Sequence, residues 1–232
     1  MTHRTIRGRI NYISDEEGEN GREWFTITVD PDGSRVIRCQ CEMDDYRLQR
    51  DVVFAVDADW QPRDCSVRVS IDHELVGSGW FRFTDTFAEC ETLTTQHGRV
   101  SQRWPLERPC PVFISHAVTC DVWQIALFDR QSGDKIQRIE GRLSSSTLPN
   151  GGSGPMLSAG FSGTAGPGVV DLEYLETKSV TVPAGKFEAD HFAILREGEP
   201  PLEIWGMGDD IVPVKLRWDL LNQSFDLVEL EM

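Results

Sequence analysis

Several features are missing from this 232-residue chain, and each absence narrows what it can be. No apolar run approaches the ~20 residues that a membrane-crossing helix needs, so no membrane span is expected. Basic residues are outnumbered, 23 Lys and Arg against 38 Asp and Glu, for a formal net charge of −15. Nucleic-acid affinity comes mainly from Lys and Arg on phosphates, so this balance argues against a nucleic-acid partner and against docking on an anionic membrane. Arg4, Arg7 and Arg9 lead into a polar stretch with no apolar core and no small-residue cleavage site, so no secretory leader is expected and the location is read as cytoplasmic.

Catalytic signatures are also missing. There is no G-x-S-x-G, no P-loop and no H-E-x-x-H. No cluster of His, Cys and carboxylate has metal-ligand spacing, so the expectation is no metal and no cofactor. Tyrosine is scarce: Tyr12, Tyr46 and Tyr174 are the only phenols, and Tyr46 beside Arg47 is the best placed of them for acid–base work. Cys39 and Cys41 are two apart and share a face if they lie on a strand, which is not the C-x-x-C spacing of zinc or redox sites. All six cysteines are therefore read as buried, reduced thiols, packing as small hydrophobes.

What is present is mostly strand. Period-2 alternation is clear in Val67, Val69 and Ile71 against Arg68, Ser70 and Asp72, and returns in Phe81 and Phe83 against Trp80 and Arg82. Turn signals such as Asp30-Pro31-Asp32-Gly33 fall between the strands. Regularly spaced short strands of this kind predict an antiparallel sandwich or barrel. Residues 112–129 break the pattern: Val118, Val122, Ile125 and Ala126 follow helical spacing after Pro111, which predicts the main helix. Residues 144–168 are dominated by Gly, Ser, Thr, Pro and Ala and read as a loop or linker within a single domain spanning 1–232, or as a lid over a pocket. From Val170 onward strands return.

The C-terminal third runs SVTVPAGKFEADHFAI and then EIWGMGDDIVPVKLRWDLLNQSFDLVELE. This V-x-V-P-A-G-x-F turn, the Trp strand, the acidic-Gly turn with VPV and the final L-x-E-L strand together resemble domain of unknown function 3108, a family related to the LolA/LolB-type lipoprotein carriers. The resemblance covers about 60 residues. It implies a mainly β fold: a large curved antiparallel sheet, or half-open β-barrel, around one helix, with an apolar groove for a hydrophobic ligand. Many relatives are exported, and this chain shows no export signal, so a lipoprotein-trafficking role does not simply transfer.

Two constellations could carry chemistry. His116 and Asp121 lie on or beside the expected helix, and a carboxylate that orients an imidazole gives a base near neutral pH. Arg50 or Tyr46 would then be the electrophilic partner. The bland reading is a helix-start histidine and a solvated aspartate. The second set is aromatic and basic: Trp80 and Arg82 share one strand face, Arg68 lies on a nearby strand, Trp123 is on the helix, and His191 alternates with Phe192. Such Trp walls with Arg suit an aromatic ligand bearing an acidic or phenolic group. The bland reading is that barrel Trp is core and strand Arg faces water.

The common element is a hydrophobic, aromatic small molecule as partner. One reading makes the chain a cofactor-independent lyase or isomerase with His116 as acid–base. The alternative is a non-catalytic carrier of lipid or other hydrophobic ligand, and a structural or interaction protein stands third. A homodimer is left open as the assembly.

Overall fold

The computed structural model describes residues 3–95, 98–147, 153–158 and 168–232. Sixteen strands follow one another: β1 (Arg4–Ser14), β2 (Gly18–Val29), β3 (Arg35–Met43), β4 (Leu48–Val56), β5 (Pro62–Ile71), β6 (Glu74–Phe83), β7 (Phe87–Thr94), β8 (Gly98–Pro105), β9 (Phe113–Ile114), β10 (Ile136–Thr147), β11 (Ser153–Ser158), β12 (Gly168–Val182), β13 (Gly185–Leu195), β14 (Leu202–Met207), β15 (Val212–Trp218) and β16 (Gln223–Glu231). Fifteen of them form one curved, unclosed sheet in the order β11-β10-β12-β13-β14-β15-β16-β1-β2-β3-β4-β5-β6-β7-β8. Every pairing along that path is antiparallel, as short hairpin connections allow, while the two-residue β9 runs parallel to β10. The backbone of β11 comes back against β5, β6 and β7, which gives the barrel-like shape.

Alternation sets the two faces. In β4, Leu48, Arg50, Val52, Phe54 and Val56 point inward while Gln49, Asp51 and Val53 point out. In β2, Glu23, Phe25 and Ile27 point inward. The half-barrel expected from the sequence is present, around what is, among the described residues, a single short α-helix. The helical segment falls inside the expected 112–129 but is shorter: α1 (Val118–Val122) continues as a 3-10 turn over Trp123–Leu127. Two features trim it. Phe113 and Ile114 pair with Leu143 and Ser144 as strand, and His116 takes a left-handed φ of 67° that a helix cannot accommodate. The stretch expected to be loop at 144–168 is partly strand, since β10 runs through Thr147 and β11 covers Ser153–Ser158. Residues 148–152 and 159–167 lie outside the described residues. The strands expected from Val170 onward open with one long strand, β12, whose register shifts between Tyr174 and Glu176.

The helical segment lies inside the curve and fills it. Trp123 packs on Phe54 and Trp60 at ring-centroid distances of 6.0 and 5.4 Å. Phe113 sits among Phe54, Phe81 and Phe83 at 6.2, 4.9 and 4.9 Å. On the opposite wall Gly206 admits Ile125: a Cβ there would come within 2.6 Å of the Ile125 Cδ1. A gap beside the helix, lined by Val112, Gln124, Leu127, Ile139, Val170 and Leu172, has no room for a water molecule. All six cysteines are buried and carry free thiols. No helix among the described residues is long and apolar enough to cross a membrane.

Candidate functional site

Two places in the fold bring the expected residues together, one inside the curve and one outside. The inner one is a polar row. Glu23, Cys41 and Arg50 are direct cross-strand partners on β2, β3 and β4. All three are in the inward phase of their strands, so the register alone places a carboxylate, a thiol and a guanidinium side by side beneath the helix start. The Glu23 carboxylate accepts from the Tyr12 hydroxyl at 2.7 Å, the Cys41 thiol at 3.4 Å, and the backbone N–H groups of Val118 and Thr119 at 2.8 and 2.9 Å. The N-cap position of α1 is Ala117, which has no side chain to cap with. Glu23 therefore does from another strand what Ser or Asp usually does locally. Arg50 donates to the carbonyl of His116.

His116 and Asp121 meet, but not as a catalytic pair. The contact is from the His116 backbone N–H to the Asp121 carboxyl, 3.3 Å. The His116 ring points the other way, with Nε2 3.3 Å from the Ser145 carbonyl. A carbonyl only accepts, so that nitrogen carries the ring proton. Both residues keep a minor exposed fraction, yet loss of water is the largest cause of either shift. Burial, with Arg50 and Arg142 nearby, holds the imidazole down at about 3. Burial pushes Asp121 up to about 7 against the pull of Arg142. Burial also lowers Arg142, to about 10.

Of the expected catalytic set, then, His116, Asp121 and Arg50 are neighbours. Tyr46 is not one of their buried company; it is an exposed residue of the β3–β4 turn. The phenol in this row is Tyr12, whose ionisation burial pushes well up. The signal that could have found Tyr12 and Glu23 is phase: each sits at an inward position of an otherwise apolar strand face. Two expected binding residues are covered by neighbouring side chains rather than open to a pocket. Trp123 is buried against Phe54 and Trp60. His191 is buried and stacked on Trp205 at 4.1 Å, with Nε2 3.3 Å from Glu203.

The outer place is a groove on the solvent face of β4–β8, of about 590 Å³. Register builds it from two cross-strand rows. One row reads Val53, Ser66, Trp80, Glu91, and the next reads Asp51, Arg68, Ser78, Leu93, Arg99. Ser66 and Ser78 are small and make the floor. Val53, Trp80 and Leu93 are 39%, 40% and 53% exposed and make apolar walls. The charges at the rim pair with one another: Arg68 with Asp51 at 3.6 Å, and Arg99 with Glu91 at 3.3 Å. Trp80 also borders a second depression of about 610 Å³, shared with Asp64, Arg82 and Thr84. So Trp80 and Arg82, expected to share a face, do share it, and Arg68 from the neighbouring strand lines the first groove with Trp80. Val53, Leu93 and the serine floor carried no signal in the sequence.

This fold and these sites define a β-barrel-like protein whose interior is packed and whose open concavity faces outward. Its likeness to a crystal structure of a β-barrel-like protein of domain of unknown function 1849 from Brucella abortus agrees: TM-score 0.52 at 13% identity, over 99% of this chain and 96% of that one. Weaker likenesses are to a DUF1089 family protein from Pseudomonas aeruginosa (TM-score 0.40, 12% identity, 82% of this chain and 86% of that one) and to a putative lipoprotein from Parabacteroides distasonis (TM-score 0.31, 10% identity, 99% and 96%). No family model matches the chain, and no curated protein matches it.

Proposed function

We propose that this protein is a non-catalytic binding module that takes a flat hydrophobic molecule in the groove over Trp80. The observation that carries the reading is three large apolar side chains, Val53, Trp80 and Leu93, held in the open around a floor of two serines on adjacent strands. Exposed apolar area contiguous across strands is a mark of binding surfaces. An indole face favours a flat partner through stacking. The rim charges neutralise each other, so the walls rather than any single ion select the ligand.

The inner row supports this reading over the lyase alternative. Glu23 is spent on α1 and Arg50 on the His116 carbonyl, and both depressions that Trp80 borders lie on the outer face. His116 and Asp121 serve the helix start.

The test uses N-phenyl-1-naphthylamine, an uncharged flat probe whose emission rises on apolar surfaces. Wild-type protein should bind it saturably. Trp80→Ala should weaken binding by up to about tenfold, the value of a lost aromatic contact. Trp24→Ala, removing a comparably exposed Trp on β2, should not. Equal binding by Trp80→Ala and wild type overturns the assignment.

A further inference from the structure

The second depression carries the reading further. It shares Trp80 with the first, so one ligand lying across the indole would reach both. Its polar lining is not self-neutralised. Arg82 faces Asp64 across the β5–β6 ladder, but its guanidinium turns to Glu89 at 3.3 Å. Arg63 pairs with Asp57. Asp64 is left with no ion pair or hydrogen bond to its side chain among the described residues, half-buried beside an aromatic face. Asp85 adds a second negative charge at the rim.

We infer that the ligand is cationic at one end: a hydrophobic amine or quaternary ammonium whose apolar body lies on Val53, Trp80 and Leu93 and whose charged group sits between the Trp80 ring and the Asp64 carboxylate. The inference rests on the groove being the binding site. Three observations converge on it. An indole attracts a cation through its ring face. An unpaired carboxylate adjacent to that ring supplies the counter-charge. A chain of net charge −15 draws cations toward its surface and repels anions. Burial by itself raises the Asp64 pKa, with no cation contributing to the shift. A ligand cation supplies what the carboxylate lacks.

The experiment compares three probes with one ring system at fixed 0.15 M salt by calorimetry: 2-naphthylmethyl-trimethylammonium, 2-naphthalenemethanol and 2-naphthoate. The cation should bind wild-type protein about tenfold more tightly than the alcohol, and the carboxylate should bind more weakly than either. Asp64→Asn should remove most of that margin, leaving only what the Trp80 ring face supplies. Glu188→Gln, which removes one exposed charge from the distant β13, should leave the cation's margin intact and so separates the site from bulk charge. Alcohol binding without a cation margin, or a margin that Asp64→Asn leaves undiminished, overturns the cation assignment and leaves the groove standing. Binding of none of the three overturns the groove and the inference with it.

Discussion

His116 and Asp121, beside the inner row, together make a prediction about pH that neither would suggest alone. In the unfolded chain His116 titrates near 6.5 and Asp121 near 3.8, their ordinary values. Between those pH values the unfolded pair is an imidazolium and a carboxylate and holds one proton. In the folded chain burial lowers the histidine to about 3 and raises the aspartate to about 7. Over the same window the folded pair is a neutral imidazole and a carboxylic acid, again with one proton. Folding moves that proton from one residue to the other without net uptake. Stability depends on pH through the difference in protons bound by the two states. The histidine term, with its folded pKa depressed, makes stability rise with pH from about 3 to 6.5. The aspartate term, with its folded pKa raised, makes stability fall with pH from about 4 to 7. The two slopes have opposite signs and the same size, about 1.4 kcal/mol per pH unit.

Single substitutions uncover each slope. Asp121→Asn leaves the histidine term, so its stability relative to wild type should climb by about 2–3 kcal/mol between pH 4.5 and 6.5. His116→Asn keeps a residue that tolerates the positive φ at this position. It leaves the aspartate term, so its relative stability should drop by about as much over the same range. Urea unfolding at half-unit steps of pH, followed by Trp fluorescence, measures all three curves. Titrations common to the three proteins cancel in the differences. Variant curves that run parallel to wild type would refute the account, because they would mean that neither group changes its proton affinity on folding.

Two further outcomes follow from contacts already described. Glu23→Gln replaces a carboxylate that accepts four hydrogen bonds with an amide whose NH₂ would face donors, and should cost about 3 kcal/mol in denaturant unfolding; a loss below about 1 kcal/mol would mean that α1 is held by packing alone. Gly206→Ala drives a methyl into Ile125, with Ile211 Cγ2 at 3.2 Å behind it, and should cost about 1–3 kcal/mol. Ile125→Val in the same chain should recover part of that loss, and strict additivity of the two changes would show that the clash is relieved elsewhere.

The strands were legible because β-branched and aromatic residues alternate with polar ones over most of the chain, and turn residues mark the breaks. The helix was legible in place but not in length, because helical spacing of apolar residues does not reveal that Phe113 and Ile114 are claimed by β10 or that His116 takes a left-handed φ. Arg50, His116 and Asp121 were found as chemistry-bearing residues near one another in sequence logic. Their true organiser, Glu23, is not among them. It lies 95 residues before the helix it caps, and only strand pairing brings it there. The clue was local: a carboxylate in phase with Phe25 and Ile27. For the groove, alternation showed that Trp80 and Arg82 share a face. It could not show that Ser66 and Ser78 stand between larger neighbours, because that depends on register across four strands.

The order of the sheet has a consequence for how the chain comes together in time. β2 to β8 are a run of hairpins, each strand beside the one just made. β1 borders β2 on one side and β16 on the other, with Arg7 opposite Glu231. The seam in the middle of the sheet is thus its most distant pairing in sequence, and distant pairings are the slow ones. A chain growing from its N-terminus can zip β1 through β8 as they emerge. One flank of β1 then stays without its partner until the last strand arrives. During that interval the open flank is a template for strands of other chains, so crowding during synthesis is a stress to which this architecture is exposed.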